Sequence, residues 1–258
     1  MSQIHKTAIV SSKAEIDEGA VIGPYCIIGD DVKIGKGTRL MSHVQIEGIT
    51  EIGENCTIFP FTTIGFPPQD LKYRGEKTGV KIGNNNIIRE YVTIHRASVS
   101  GDGWTVIGDN NFIMAYVHIA HDCKIGNSVI LANLATLAGH VEVEDFVFIG
   151  GLVAVHQFTR IGAHAMIGGF SGVGQDVPPF TMASGPRAKL YGLNTVGLKR
   201  RGFNDETINI LKKAYKILFR DKLQLKEAIE KVKNELPQIA EIKHLIEFIE
   251  ANKRGICR

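Results

Sequence analysis

Aliphatic residues return at every sixth position through most of this chain. From Ile4 the series reads Val10, Ile16, Ile22, Ile28, Ile34, Leu40, Ile46, Ile52, Ile58 and Ile64. It resumes at Ile82, Ile88 and Ile94, then runs from Ile107 through Ile113, Ile119, Ile125, Leu131, Leu137, Val143, Ile149, Val155, Ile161 and Ile167 to Val173. All 26 of these positions are aliphatic. Two residues earlier the side chain is usually small or β-branched, as in Ala8, Ala20, Val32, Thr38, Val117, Val129 and Ala135. Residues two apart on a strand point the same way, so each hexad predicts a short strand that sends two side chains inward and then turns a corner. Glycine often follows the aliphatic residue, as at Gly23, Gly35 and Gly126, where a corner favours a residue without a Cβ. Cys26, Cys56 and Cys123 fall on the small inward position and form no CxxC pair, so they read as packing residues rather than redox or zinc ligands.

This pattern resembles the hexapeptide-repeat parallel β-helix. The resemblance implies a mainly-β fold, a left-handed triangular coil with three hexads per turn, in which residues 18 apart stack. Residues 66–80 and 95–106 interrupt the count, and loops thrown out of a rigid solenoid are where function tends to sit. After Val173 the stretch QDVPPFTMASG predicts a turn and linker. Helical spacing begins near Asn204 or Asp205, which cap a first segment with Ile208, Leu211, Tyr215 and Leu218 on one face. Ile229 and Val232 mark a second segment, and Ile239, Ile242, Leu245, Ile246 and Ile249 a third. The expected organisation is a β-helix domain over 1–186 and a small α-helical domain over 187–258.

Charge divides along the same line. Residues 187–258 hold 17 Lys/Arg against 9 Asp/Glu, while the remainder holds 13 against 18. A basic C-terminal part either attracts an acidic partner or is a solvated helix face. No apolar run approaches the about 18 residues of a membrane span, and the N-terminus lacks the pattern of a secretory signal. The expectation is a cytoplasmic protein without a membrane span.

The 18-residue register also exposes a cluster that sequence distance hides. Gly139 stacks on His121 and Gln157 on Gly139, with Asp122, His140 and Phe158 as their neighbours and His118 and His156 close by. Three readings compete for these histidines. They ligate a metal, as in the zinc carbonic anhydrases of this fold. One is a general base, suited by an ordinary pKa near about 6.5, and the others bind substrate. Or they are surface residues.

Seven segments taken together are more specific: GFPPQDLKYRGE (65–76), REYVTIHR (89–96), HIAHDCKIGN (118–127), LAGHVEVEDFVFIGG (137–151), VHQFTRIGAHAMIGG (155–169), SGVGQDVPPF (171–180) and GLNTVGLKRRGF (192–203). In this order they resemble the UDP-N-acetylglucosamine O-acyltransferase family of lipid A biosynthesis. The resemblance implies transfer of an R-3-hydroxyacyl group from acyl carrier protein to the 3-hydroxyl of UDP-N-acetylglucosamine, with no cofactor, metal or nucleic acid. By position, His121 matches the general base, Asp122 the residue that orients it, and Gly139 the backbone N–H that steadies the oxyanion. His118, His140, His156 and Gln157 match substrate contacts. Asp70 and Lys72 match contacts to the sugar and a phosphate, and Asn194, Arg200 and Arg201 the region that holds the diphosphate. Gly169 matches the position that limits acyl length. The resemblance further implies a homotrimer with active sites between subunits, and an acidic carrier protein as the partner of the basic C-terminal part. One position departs: Val196 stands where familiar members have an acidic residue near the nucleotide. An acceptor with a 3-amino group remains open. The sister N-acyltransferase normally has a domain before its hexads, whereas the repeat here begins at Ile4.

Overall fold

The computed structural model describes residues 2–258. Each hexad forms a strand of two to four residues, and strands from successive turns pair in parallel on three faces. The first face begins at Gln3–Ile4, the second at Ile9–Val10 and the third at Glu15–Ile16. Ile119 pairs with Leu137, and Leu137 with Val155, which is the 18-residue register. This is the left-handed hexapeptide β-helix expected from the repeat.

The inward column is dry. Ile28, Ile46, Ile64, Ile94 and Ile119 are at most 2% exposed, and burying each contributes about 2 kcal/mol. Cys26, Cys56 and Cys123 fill the small inward site at 0% exposure, and burial pushes the Cys123 thiol up to about 12. Ile4 faces the same column but stays 48% exposed, because no turn lies beneath it. The glycine after an aliphatic residue serves close stacking: a Cβ on Gly35 would sit 2.6 Å from the carbonyl carbon of Gly53. The left-handed backbone at the corners is carried instead by residues with side chains, among them Asp122 (φ 62°), His140 (φ 60°) and Phe158 (φ 62°). Such a conformation costs about 1 kcal/mol or more per residue with a side chain, and it recurs along the corner columns, with Gly19 and Gly37 taking it in the first coils.

Both interruptions leave from one edge. The chain departs the second face after Thr63–Phe66 and joins the third at Gly79–Ile82. It departs again after Thr93–His95 and returns at Trp104–Ile107. The two loops are tied together where Arg96 Nε donates to Tyr73 Oη at 3.0 Å.

The expected linker is part of the folded core. Val177 bridges to Ile161, Thr181–Ser184 adds a parallel strand to the first face, and Lys189–Leu193 pairs antiparallel with it. Val177, Phe180 and Ala183 are at most 3% exposed, so the turn residues punctuate a strand that roofs the last coil. Four helices follow: α1 (Thr195–Arg200), α2 (Asp205–Phe219), α3 (Leu225–Glu235) and α4 (Ala240–Glu250). Asn204 caps α2 by accepting from the Thr207 N–H at 2.8 Å, as its position suggested. The helix α1 is too short and β-branched to read from periodicity. Its cap is Asn194, whose Oδ1 accepts from Gly197 N–H at 3.1 Å. The helices bury Leu198, Ile208, Leu211, Ile242 and Ile246 around Phe180, while Leu190, Tyr215 and Cys257 join the β-helix core. Two polar contacts fix α4 to the solenoid: His244 Nε2 lies 2.7 Å from Glu144 Oε2, and Arg160 Nη2 donates to the Phe248 carbonyl at 2.8 Å. Among the described residues no helix is long and apolar enough to cross a membrane.

Candidate active site

The strand His118–Ile119 ends on the second face, and the next residues turn the corner towards the third. His121 and Asp122 occupy that corner, at the edge from which both loops emerge. Asp122 is both a corner-former and a partner of His121. Its φ of 62° is one a short polar residue tolerates, and its Oδ2 lies 2.7 Å from His121 Nδ1. The carboxylate is 3% exposed and the imidazole 17%. Burial alone raises the Asp122 carboxyl. Hydrogen bonds from His121 and Ser98 outweigh it and hold the group below its ordinary range, so it is ionised near neutrality. An ionised carboxylate only accepts, so His121 Nδ1 carries the hydrogen and Nε2 presents its lone pair.

Gly139 stacks on this histidine as the register required. A Cβ at Gly139 would sit 2.7 Å from His121 Nε2 and 2.5 Å from Cε1, so only glycine leaves room for the ring. The Gly139 carbonyl accepts from Phe158 N–H at 3.1 Å, whereas its own N–H makes no hydrogen bond among the described residues. An unspent N–H beside this imidazole is a donor that an anionic oxygen could use.

His140 stands one residue along, its ring 5.3 Å from that of His121 and edge-on, and stacked on Phe158 at 4.5 Å. Burial lowers its pKa first, and Asp122 and Asp70 oppose the shift. Asp70 therefore sits within electrostatic reach of the cluster, and its Oδ1 accepts from the Lys72 N–H at 2.9 Å. Lys72 itself is exposed. His118 lies on the second face with Nδ1 2.6 Å from Thr93 Oγ1, and burial lowers its pKa as well. His156 and Gln157 are exposed one turn further on, where His156 lines a separate cavity of about 490 Å³ with Arg187.

Several residues of the site escaped the sequence. Ser98 donates to Asp122 Oδ2 through Oγ (2.7 Å) and its backbone N–H (3.1 Å). Gly101 closes over the other carboxylate oxygen, where a Cβ would collide with Oδ1. His95, 8% exposed, packs edge-on to His118 at 5.0 Å, and burial drives its pKa down to about 4. The 96–103 loop is what hid them. It stretches the register so that Ile94 pairs with Ile119, and a count by 18 misses the contact.

The remaining predicted residues lie elsewhere on the chain. Asn194 is 9% exposed, and its amide is engaged with α1 and with the His164 carbonyl, to which Nδ2 donates at 3.0 Å. With Val196, Arg200 and Arg201 it lines a cavity of about 610 Å³ that also includes Phe146 and His164, at the edge between the third and first faces. Arg201 stacks over Phe146 at 4.8 Å. Gly169 is exposed at the third edge, between the first and second faces, where a Cβ would meet the Gly151 carbonyl at 3.2 Å. In one chain, then, His121, the paired arginines and the small-residue column occupy three different edges.

His121, Asp122 and His140 bring ligand atoms within 4.8 Å of one another, a spacing a metal ion can also use. The 2.7 Å separation of Nδ1 and Oδ2 is that of a hydrogen bond, which already occupies both atoms.

Comparison with known proteins adds a family to this geometry. Residues 176–257 match the family model described as UDP N-acetylglucosamine O-acyltransferase, domain 2, and residues 13–48 and 105–139 match the bacterial transferase hexapeptide repeat. The chain is 88% identical over 258 residues, the whole of both proteins, to the acyl-[acyl-carrier-protein]–UDP-N-acetylglucosamine O-acyltransferase of Thermodesulfovibrio yellowstonii. It is 51% identical over 257 residues to that of Syntrophobacter fumaroxidans, covering 99% of this chain and 100% of the relative. Among solved structures it resembles LpxA from Acinetobacter baumannii, with a TM-score of 0.96, 46% identity and 99% of each chain covered. The UDP-N-acetylglucosamine acyltransferase of Francisella novicida gives 0.96 and 44%, covering 99% of this chain and 94% of that one. With such identity sustained from end to end, the chain belongs to the UDP-N-acetylglucosamine O-acyltransferase family.

Proposed function

We propose that this acyltransferase moves an R-3-hydroxyacyl group from acyl carrier protein directly to the 3-hydroxyl of UDP-N-acetylglucosamine, with His121 as general base. The observation that carries the reading is the Asp122–His121 pair with Nε2 beside the unspent Gly139 N–H. His121 Nε2 takes the hydroxyl proton as the sugar oxygen bonds to the thioester carbonyl. The carbonyl oxygen becomes an oxyanion held by the Gly139 N–H. Collapse breaks the carbon–sulfur bond, and the departing thiolate recovers the proton from Nε2. Asp122 stabilises the imidazolium in between. No covalent acyl-enzyme is needed: all four cysteines are buried, and Cys123, which follows Asp122, turns its thiol inward to the Ala138 carbonyl.

The test is an assay with UDP-N-acetylglucosamine, its 3-amino analogue and a panel of R-3-hydroxyacyl carrier proteins, with and without chelator. Product on the 3-hydroxyl, unaffected by chelator, supports the reading. Turnover of the amino sugar alone changes the acceptor. Loss to chelator with rescue by zinc replaces the base with a metal.

The same panel reads acyl length. Gly169 and Gly151 leave an open column, so Gly169→Met is expected to shift preference to shorter chains. An unchanged chain profile removes Gly169 from that role.

The separation of edges supports a composite site. From Phe112 onward the outward residues of the first face are apolar (Phe112, Ile130, Phe148, Met166), and beyond His118 those of the second are small (Thr136, Ala154, Gly172), whereas earlier coils carry Arg39 and Thr57 on the first and Ile27 and Gln45 on the second. The third is charged (Lys33, Glu51, Lys81, Lys124, Glu142, Arg160). Two faces are thus suited to burial against other copies and one to water. In the resulting trimer the paired arginines of one subunit serve the His121 of its neighbour. Mixing His121→Ala with Arg200→Ala/Arg201→Ala chains should then restore a fraction of activity that neither has alone. No recovery in verified mixed trimers would place both groups in one subunit's site.

A further inference from the structure

The hydrogen bonds around Asp122 run in one direction, and that direction reaches His140. Asp122 Oδ2 can only accept, so the single hydroxyl proton of Ser98 points at it across 2.7 Å. Ser98 Oγ also lies 2.6 Å from Ser100 Oγ. With its own proton committed, Ser98 accepts there and Ser100 donates. Ser100 then has only lone pairs for its other neighbour, His140 Nε2, at 3.2 Å. Nε2 must therefore carry a hydrogen. The 3.5 Å approach of the same nitrogen to Asp122 Oδ2 asks for that hydrogen too. A ring kept neutral by burial and protonated at Nε2 has its free lone pair on Nδ1.

We propose that Ser98 and Ser100 are positioning residues that carry the polarity of Asp122 to His140, fixing its Nε2–H tautomer so that Nδ1 accepts a hydrogen bond from a hydroxyl or amide N–H of the acceptor sugar. One carboxylate thereby sets both imidazoles. His121 shows its lone pair at Nε2 to take a proton, and His140 shows its own at Nδ1 to hold a donor. Ser98 is 2% exposed, so its bond to Asp122 is shielded from competing water, and Ser100, at the surface, links it to His140. Only the identity of the bound donor rests on the acyl-transfer reading.

The test is NMR of the full-length protein labelled with ¹⁵N-histidine, with His140 assigned by its loss in His140→Gln. Two-bond ¹⁵N–¹H correlations report which nitrogen bears the hydrogen. The wild type is expected to show a neutral His140 protonated at Nε2. Ser98→Ala and Ser100→Ala are expected to give a mixture of tautomers and a rise of roughly tenfold in KM for the acceptor sugar, the parameter that a ground-state contact controls. Ser98→Thr restores both. A wild-type His140 protonated at Nδ1 overturns the proposal, as do serine variants with an unaltered tautomer. A changed tautomer with unchanged KM for the acceptor sugar overturns its link to substrate binding. Ser100 is exposed, so Ser100→Ala decides the matter if Ser98→Ala does not fold. The tautomer is read without turnover, so it stands or falls separately from the proposed activity.

Discussion

His121→Ala is expected to lose acyl transfer by about 10²–10⁴-fold, the range that general-base assistance covers. The loss should fall on kcat, with KM for the sugar nucleotide much less affected, because the imidazole acts on the proton in flight more than on the bound ground state. The fold should survive. The His121 side chain lies at the edge rather than in the inward column, and its backbone carbonyl still accepts from His140 N–H at 3.0 Å. Asp122 keeps both Ser98 donors. Circular dichroism and a melting curve close to wild type would confirm that chemistry alone was removed. A variant that retains more than a tenth of wild-type kcat would mean that the proton goes elsewhere, and His140 would be the next candidate.

Gly139→Ala is expected to be nearly as damaging, by about 10²-fold, although it adds only a methyl group to a buried residue. Its Cβ would lie 2.7 Å from His121 Nε2, the atom that must reach the hydroxyl. The ring cannot retreat freely, because Nδ1 is held by Asp122 at 2.7 Å and Asp122 is held in turn by Ser98. A displacement of about 1 Å in a reacting group is enough for a loss of that size. Gly139 has no left-handed φ, so the backbone tolerates alanine and stability should change little. Kinetics beside a thermal melt separates the outcomes: equal losses in both indicate a folding defect, and unchanged kcat shows that the ring can be displaced without cost.

The sequence by itself determined the solenoid. A six-residue period with one small and one aliphatic inward position makes each step a short strand and a corner, the resemblance supplied three steps per coil and the hand, and burial enforces the pattern down to Cys26, Cys56 and Cys123 in the small site. It also determined the pairing of His121 with Gly139, because the stacking interval is constant between Ile107 and Val173. Asn204 as a cap and the apolar faces of α2, α3 and α4 were legible for the same reason: they rest on local spacing. Only the tertiary structure decided the rest. QDVPPFTMASG carries turn residues and still forms a buried strand, because the last coil needs a roof and local propensity does not register that need. Ser98 and Ser100 reach the site through a loop of irregular length, and His95 lies on the strand before it; that loop breaks the count that placed His121. The arginines of α1 lie on an edge away from His121, a separation set by the triangular cross-section and invisible in a linear chain. Periodic burial is a local property repeated, so sequence encodes it openly; a site assembled across loops and edges depends on where the coil brings them, and that is known only once the chain is folded.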